Sequence, residues 1–351
     1  MSGSYLRYRP KLFLIIFAFY INLNAEEIRY AADLTHLPAG ADIAAQGDAG
    51  VVLPDRAVSS YWNPAASSYL STYEIAAEVA DLYGGLSQQG CFSVHVPMQN
   101  KTGVAVTYIP FLSGDIERQD TLDGTYQQRL FDQKLRADGS NKGLFQNNQH
   151  LLLLSIGKLF TFQLPRTAGT GFPLPIDVGM GVNLKGLWQI MNPDEKIRMG
   201  MNANLDAGFI SRIGVDYNIL KKEISREVMI GLTIRDFLPS KVMWVNSPVG
   251  YSEQTHVSYY SGIAFADRSG DLGFNYKISL SLEKEYKVTY HAGLETEFWD
   301  IVIFRAGISD RTPTLGAGIR YKRCFLDYAF RFDELDVSYL RLALGVNFSK
   351  F

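Results

Sequence analysis

The residues best able to do chemistry in this 351-residue sequence are five histidines, two cysteines and a scatter of carboxylates. His36, His95, His150, His256 and His291 would suit a metal or a proton relay if two of them stood at H-E-x-x-H spacing, and no pair does. Cys91 and Cys324 are too few for a disulfide framework and lack zinc-ligand spacing, so they read as isolated strand thiols. Gly179/Gly181 and Gly316/Gly318 fall inside strand-like runs, not at the strand-to-helix turns that cradle phosphate. There is no G-x-S-x-G nucleophile elbow. The expectation is a non-enzyme with no catalytic, metal or cofactor-binding residues and no cofactor.

The charged residues follow a different logic. Met201, Ala203, Leu205, Ala207 and Phe209 alternate with Asn202, Asn204, Asp206 and Gly208, so an extended chain here has one oily face and one polar face. Val178, Met180, Val182, Leu184 and Trp188 oppose Asp177, Gly179, Gly181, Asn183 and Lys185 in the same way. Leu315, Ala317, Ile319 and Tyr321 oppose Gly316, Gly318 and Arg320, and Leu326, Tyr328, Phe330 and Phe332 oppose Asp327, Ala329 and Arg331. Read by phase, Asp177, Lys185, Asp206, Arg305, Arg320, Asp327 and Arg331 share one face. If that face lines a lumen, they either hold an interior segment by ion pairs or line a solute path.

Such segments recur from Tyr73 onward at the length expected of membrane strands, about 9 to 11 residues. They fall near 73–83, 91–98, 103–111, 148–160, 176–189, 198–212 and 228–236. The others fall near 255–265, 274–284, 287–297, 300–308, 313–321, 324–332 and 338–350. About fourteen strands predict an all-β, antiparallel up-and-down transmembrane barrel over residues 73–351. With a periplasmic N-terminus the odd connections are external, and the two longest, 112–147 and 237–254, are both odd. The first is a polar loop of mixed sign that suits either solvent or a partner. Residues 161–175 and 213–227 are long for periplasmic turns and point to strand extensions or a miscount. Trp188, Trp244, Tyr251, Trp299 and Tyr321 fall near strand ends, where interfacial girdles form.

The first 25 residues carry Arg7, Arg9 and Lys11, then the apolar block Leu12 to Ile21, then a polar stretch closing on Ala25. This is the layout of a cleavable export signal, too short for the roughly 20 apolar residues of a spanning helix. Removing it shifts the net charge from −2 to −5, which makes nucleic acid a poor partner. Aromatic residues at 13% and 31 glycines, without a later apolar run near 18 residues, agree with a barrel whose polar lumen face hides its lipid face.

Residues 26–72 are rich in Ala, Gly and Asp and do not alternate. A short helix is expected behind Asp55 as N-cap, running Arg56 to Trp62 and stopped by Pro64. The segment should tuck into the lumen or cap its mouth. The stretch Ala39-Gly40-Ala41-Asp42 to Gly47-Asp48-Ala49-Gly50-Val51, followed by Tyr61-Trp62-Asn63-Pro64-Ala65, resembles the N-terminal signature of FadL-like outer-membrane proteins and their PorV/PorQ relatives. Gly293-Leu294-Glu295, Phe304-Arg305-Ala306-Gly307, Gly316-Ala317-Gly318 and Leu326-Asp327-Tyr328-Ala329-Phe330 are similar to the family's closing strands. Gln46, Asp48 and Ala65-Ala66 depart from its usual residues.

The resemblance implies a hatch over residues 26–72 with Tyr61, Trp62, Asn63 and Pro64 as its structural or gating element. It implies an outer-membrane channel for hydrophobic or small organic solutes, or a PorV-like secretion component that binds exported cargo. A porin or purely structural barrel is the third reading. The expected partners are outer-membrane lipid, the barrel assembly machinery, and either a hydrophobic solute or a secreted cargo protein. Phe348, in phase with Leu340, Leu342, Leu344 and Val346, and the terminal Phe351 are the candidates for the assembly signal.

Overall fold

The structure, a computed structural model, describes residues 33–118, 123–136, 143–164, 174–192, 197–218, 223–238, 240–246, 252–270, 273–285, 287–332 and 339–348. The expected signal, Tyr251 and Phe351 lie outside them. The first strands are β1 (Tyr73–Leu82), β2 (Ser87–Pro97), β3 (Thr102–Glu117), β4 (Leu144–Leu164), β5 (Leu174–Met191), β6 (Arg198–Asn218) and β7 (Glu223–Arg235). Two short strands follow, β8 (Lys241–Val245) and β9 (Ser252–Gln254). The chain then forms β10 (Ser258–Asp267), β11 (Asn275–Lys284), β12 (Val288–Phe298), β13 (Val302–Ser309), β14 (Thr312–Tyr321), β15 (Cys324–Arg331) and β16 (Tyr339–Phe348).

β1 to β7 pair antiparallel in sequence order, as do β10 to β16, β7 pairs with β10, and β16 returns to β1 in the register Tyr73↔Phe348 to Asp81↔Leu340. That closes a barrel of fourteen strands and removes every sheet edge from its wall. β8 and β9 are not part of the ring. β7 stops at Arg235 while β6 continues, and β8 covers the exposed end of β6 through Met199↔Val245 and Met201↔Met243.

Alternation sets which way each side chain points. Leu340, Leu342 and Leu344 are exposed on β16 while Arg341 and Ala343 between them are buried. Met180, Val182 and Leu184 are likewise exposed on β5, and Asn183 and Lys185 are buried. Large apolar residues face outward on strand after strand, including Val79, Ile263, Leu280 and Ile319. Soluble proteins rarely expose apolar patches beyond a few hundred Å². This exterior is instead suited to hydrocarbon.

Connections at the end where β1 begins, the start end, are short. Trp299 and Asp300 both take positive φ, at 54° and 57°, and Lys322 does so at 55°. At the opposite or loop end lie the β3–β4 connection, with a helix over Tyr126–Phe131 capped by Thr125, and the β7–β10 connection holding β8 and β9. Two long even connections expected from the sequence shorten because β4 runs on to Leu164 and β6 to Asn218.

Residues 33–72 lie inside the barrel as short turns: 3-10 helices at Asp33–His36, Gly50–Val52 and Pro64–Ser68, and one-turn α-helices at Ala41–Ala44 and Ser59–Trp62. The helix expected from Arg56 is shorter and starts after Val58. Asp55 does not cap it. The Asp55 carboxylate instead lies 2.5 Å from the Lys277 ammonium, and the Arg56 N–H finds the Ser59 hydroxyl at 3.2 Å.

Candidate functional site: the barrel interior

The interior is built to receive backbone. Inward positions on eight strands are glycine where the segment passes: Gly103, Gly157, Gly181, Gly208, Gly231, Gly293, Gly307 and Gly316. A Cβ on Gly181 would sit 2.5 Å from the Pro64 carbonyl, one on Gly231 2.3 Å from Val51 O, and one on Gly307 2.3 Å from Gly47 N. Glycine inside a strand weakens it and marks close approach of another chain segment. Here the other segment is residues 45–68.

Wall side chains then satisfy the segment's buried backbone. Asn183 donates to Ser60 O at 3.0 Å, and Arg235 to Tyr61 O at 2.8 Å. Thr314 donates to Ala45 O at 3.1 Å. In the reverse direction, the segment's Tyr69 hydroxyl donates to the wall carbonyl of Ile210 at 2.7 Å. His95 places its ring nitrogens 2.8 Å from Thr72 O and from Ser67 O, and His291 contacts Gly47 O at 2.9 Å.

Of the four residues expected to form a structural or gating element, Tyr61, Trp62 and Asn63 are buried polar anchors and Pro64 opens the last 3-10 turn. The Tyr61 hydroxyl lies 2.7 Å from both Thr35 O and Leu37 O, and the Trp62 indole N–H donates to Ala39 O at 2.7 Å. Asn63 Oδ1 accepts from Ala65 N at 3.0 Å, which caps that turn. Its amide faces Val51 O at 2.9 Å, Phe209 O at 3.1 Å and Leu232 O at 3.3 Å, spanning segment and wall. Arg235 lies 4.6 Å from the Tyr61 ring, 5.3 Å from Trp62 and 4.4 Å from Tyr260, a buried guanidinium among three aromatic faces.

The charged candidates fall into separate groups. Lys185 bridges Asp206 at 3.0 Å and Asp236 at 2.7 Å, all three buried on the β5–β7 wall. Across the lumen, Arg305 pairs with Glu295 at 2.7 Å and Asp327 at 2.6 Å, and Asp327 also faces Arg56 at 3.5 Å. Glu295 continues to Lys277 at 3.0 Å, and so to Asp55. Arg320 pairs with Glu297 at 2.7 Å, and Arg331 with Asp48 at 3.0 Å. Asp177, near the start end, accepts from the Thr161 hydroxyl at 2.6 Å. Of the candidates for an assembly signal, Phe348 ends β16 opposite Tyr73.

Within the segment the electrostatics differ from residue to residue. Burial, with Asp327 nearby, pushes the Asp42 carboxyl up to about 6. Burial would also raise Asp55, but Lys277 overrides it and holds that carboxyl down at about 2. Burial pushes the Tyr61 phenol up to about 12 against the opposing pull of Arg235.

No protein-family model matches the chain, and no curated protein matches it. Among solved structures, the toluene transporter TbuX of Ralstonia pickettii aligns with a TM-score of 0.50 over 89% of this chain and 98% of its own, at 8% identity. The barrel has the fold of TbuX. A TodX monoaromatic hydrocarbon channel mutant aligns with a TM-score of 0.45 over 89% of this chain and 99% of its own, at 10% identity. The translocator domain of the autotransporter NalP from Neisseria meningitidis gives 0.36, covering 80% and 90% of the two chains at 9% identity.

Among the described residues, cavities beside the segment include three on the β10–β2 side of the barrel. The first, about 170 Å³, lies at the loop end among Leu37, Pro38, Leu82, Ala329, Arg331 and Arg341. The second, about 20 Å³, touches Glu74, Glu78, Cys91, Arg56, Asp327 and Phe325. The third, about 120 Å³, lies toward the start end among Asp55, Arg268, Lys277, Glu295, Glu297 and Arg320.

Sequence reasoning missed Arg235, Lys277, Glu78 and Arg341, although their inward phase was visible. Arg341, for example, is the lone charge in the run Leu340 to Leu344, and it donates to Glu78 at 2.7 Å and Gln89 at 2.8 Å. Cys91 is buried and Cys324 exposed, and both are free thiols. His150 and Trp188, with Tyr108, form an outward-facing stack with centroids 5.2 to 6.1 Å apart.

Proposed function

We propose that this chain is an outer-membrane channel that passes hydrophobic or small organic solutes, exported by a cleavable signal, with residues 26–72 as a hatch that keeps it from being an open pore. One observation carries the reading: segment 33–72 fills a closed barrel yet leaves a cavity at the loop end, lined by Leu37, Pro38, Leu82 and Ala329 together with Asp48, Arg331 and Arg341. The apolar exterior and interior polar pairs fit a wall between hydrocarbon and a protein-filled lumen. With the start end periplasmic, the long connections and the cavity face outward. The name of TbuX, a toluene transporter, agrees with this class of cargo.

The test joins location to flux. The mature chain should sit with outer-membrane markers, migrate differently unboiled and boiled on SDS gels, and release small solutes from liposomes when reconstituted. A stable detergent-free monomer in the periplasm would refute the reading.

One observation favours the secretion alternative. The β3–β4 helix exposes Tyr126, Leu130 and Phe131, the last at 91%, as an apolar patch at the loop end. Deleting the gene would then trap exported cargo in the periplasm and leave solute uptake unchanged.

A further inference from the structure

The loop-end cavity combines an apolar body with a cationic head. Leu37, Pro38, Ala44, Leu82 and Ala329 supply the body. Arg331 closes β15 and Tyr339 opens β16, so both stand at the rim. At about 170 Å³ the space is close to the engineered cavity of about 150 Å³ that takes up benzene, so it holds one six-membered ring and little more.

Its charged groups favour one sign. Ala329↔Arg341 and Arg331↔Tyr339 make Arg331 and Arg341 diagonal neighbours on the inward face of β15 and β16, a spacing of about 7–8 Å that two long side chains bridge. A guanidinium carries N–H donors in a planar fork and accepts nothing. Arg341 is buried and donates to Glu78 at 2.7 Å and to Gln89 at 2.8 Å, which fixes its plane. Glu78, which balances it, lines the second cavity and not this one. Arg331 donates to Asp48 through Nη1 at 3.0 Å and keeps a quarter of its side chain exposed. Asp48 is the lone acid in the lining, and its carboxylate is engaged: Oδ2 accepts from Arg331, and Oδ1 is sealed from solvent. The lining therefore offers a ligand two held cations and no free carboxylate oxygen.

Resting on the channel reading above, we propose that this cavity is a binding site for a compact organic anion, a monocarboxylate built on a single ring. Its carboxylate would lie between Arg331 and Arg341, and its ring against Leu37, Leu82 and Ala329. Guanidinium-to-carboxylate hydrogen bonds are among the stronger ones, and here the donors are already oriented by their own pairs. An ammonium in the same place would meet two like charges. A bare hydrocarbon would cover the guanidiniums without replacing their hydrogen bonds to water.

The experiment is calorimetric titration of the full mature chain in detergent with benzoate, benzylamine and toluene, three probes of similar shape and different charge. Benzoate should bind roughly tenfold tighter than either of the others, or more, the margin of one charge-assisted hydrogen bond. Arg331→Gln with Asp48→Asn removes a cation together with its acid, and Asn suits the positive φ of 64° at Asp48. That variant should weaken benzoate roughly tenfold and leave toluene unchanged. Leu37→Trp, on the segment and not on the wall, fills the cavity, spares both ion pairs and should abolish binding of all three probes. Unboiled gel mobility checks that each variant keeps a closed barrel. Benzoate bound no tighter than benzylamine by the unaltered protein, a comparison that needs no variant to fold, overturns the assignment. So does benzoate bound at full strength by Leu37→Trp. Liposome flux is read separately: absence of any solute release refutes the channel reading, whereas release without preferential benzoate binding refutes the site alone.

Discussion

Asn63 offers the sharpest test of how the interior segment is held. It is fully buried, and its amide faces three carbonyls, one from the segment and two from adjacent wall strands. Two N–H groups can serve two of these at a time, so Asn63→Ala loses two buried hydrogen bonds at about 1 kcal/mol each. It also loses the cap to Ala65 N, typically about 1 kcal/mol. The expected loss is about 3 kcal/mol, roughly a hundredfold in the equilibrium between docked and released segment. The wall should survive, because its strands bond to one another around a closed ring. Urea titration in detergent, followed by Trp62 fluorescence for the segment and by unboiled gel mobility for the wall, separates the two events. Asn63→Asp decides the cause. It keeps the volume and the cap acceptor but turns an oxygen toward three carbonyl oxygens, so it should be at least as damaging as Asn63→Ala. An Asp variant as stable as the unaltered protein would show that shape, not amide donation, holds the segment.

Four further outcomes follow from the structure. Gly181→Ala, whose Cβ would meet the Pro64 carbonyl at 2.5 Å, should cost about 1–3 kcal/mol, while Gly186→Ala on the same strand, with open space around it, should be near neutral in the same titration. Asp42, raised to about 6, favours the folded state below pH 4 and loses that advantage as pH rises through 6, so Asp42→Asn should flatten the fall in urea midpoint over that window. Asp55, held at about 2, contributes above pH 4 and loses its contribution as pH falls toward 2, so Asp55→Asn should be destabilising at pH 7 and indistinguishable near pH 2. Leu344→Arg, on the outward face, should cost about 2–4 kcal/mol at the midplane and slow folding into lipid vesicles, and unchanged folding would mean that this face does not meet hydrocarbon.

The wall was legible because alternation is a local signal. Runs such as Met201 to Phe209 fix their own phase, and all fourteen wall strands lie where the sequence placed them, to within six residues at each end. The errors share one cause. β2 begins at Ser87, not near 91, because Ser87 and Gln89 are inward polar residues that meet Ser113 and Arg341, contacts no local pattern encodes. β8 and β9 were read as loop because their pairing depends on β7 stopping short of β6. Asp55 looked like a helix cap because its real partner, Lys277, lies 222 residues away.

The interior is occupied by residues 33–72, and the way they are seated connects the glycines to the polar residues. A wide barrel can be filled by water, by side chains or by a length of chain. A length of chain brings buried N–H and C=O groups, each of which costs free energy unless it finds a partner. Short 3-10 turns satisfy only some of them, so the wall must supply the rest. Asn183, Arg235, Thr314, His95 and His291 do so, each bonded to a segment carbonyl or within reach of one. Those residues look like a solvated face when read by phase alone, because lumen water and a buried backbone ask for the same side chains. What distinguishes the two is glycine at the intervening inward positions: water needs no cleared space for a passing backbone, whereas Gly181, Gly231 and Gly307 leave room for nothing bulkier than hydrogen beside residues 47–64. Polar residues interleaved with inward glycines therefore signal a strand that binds its own chain.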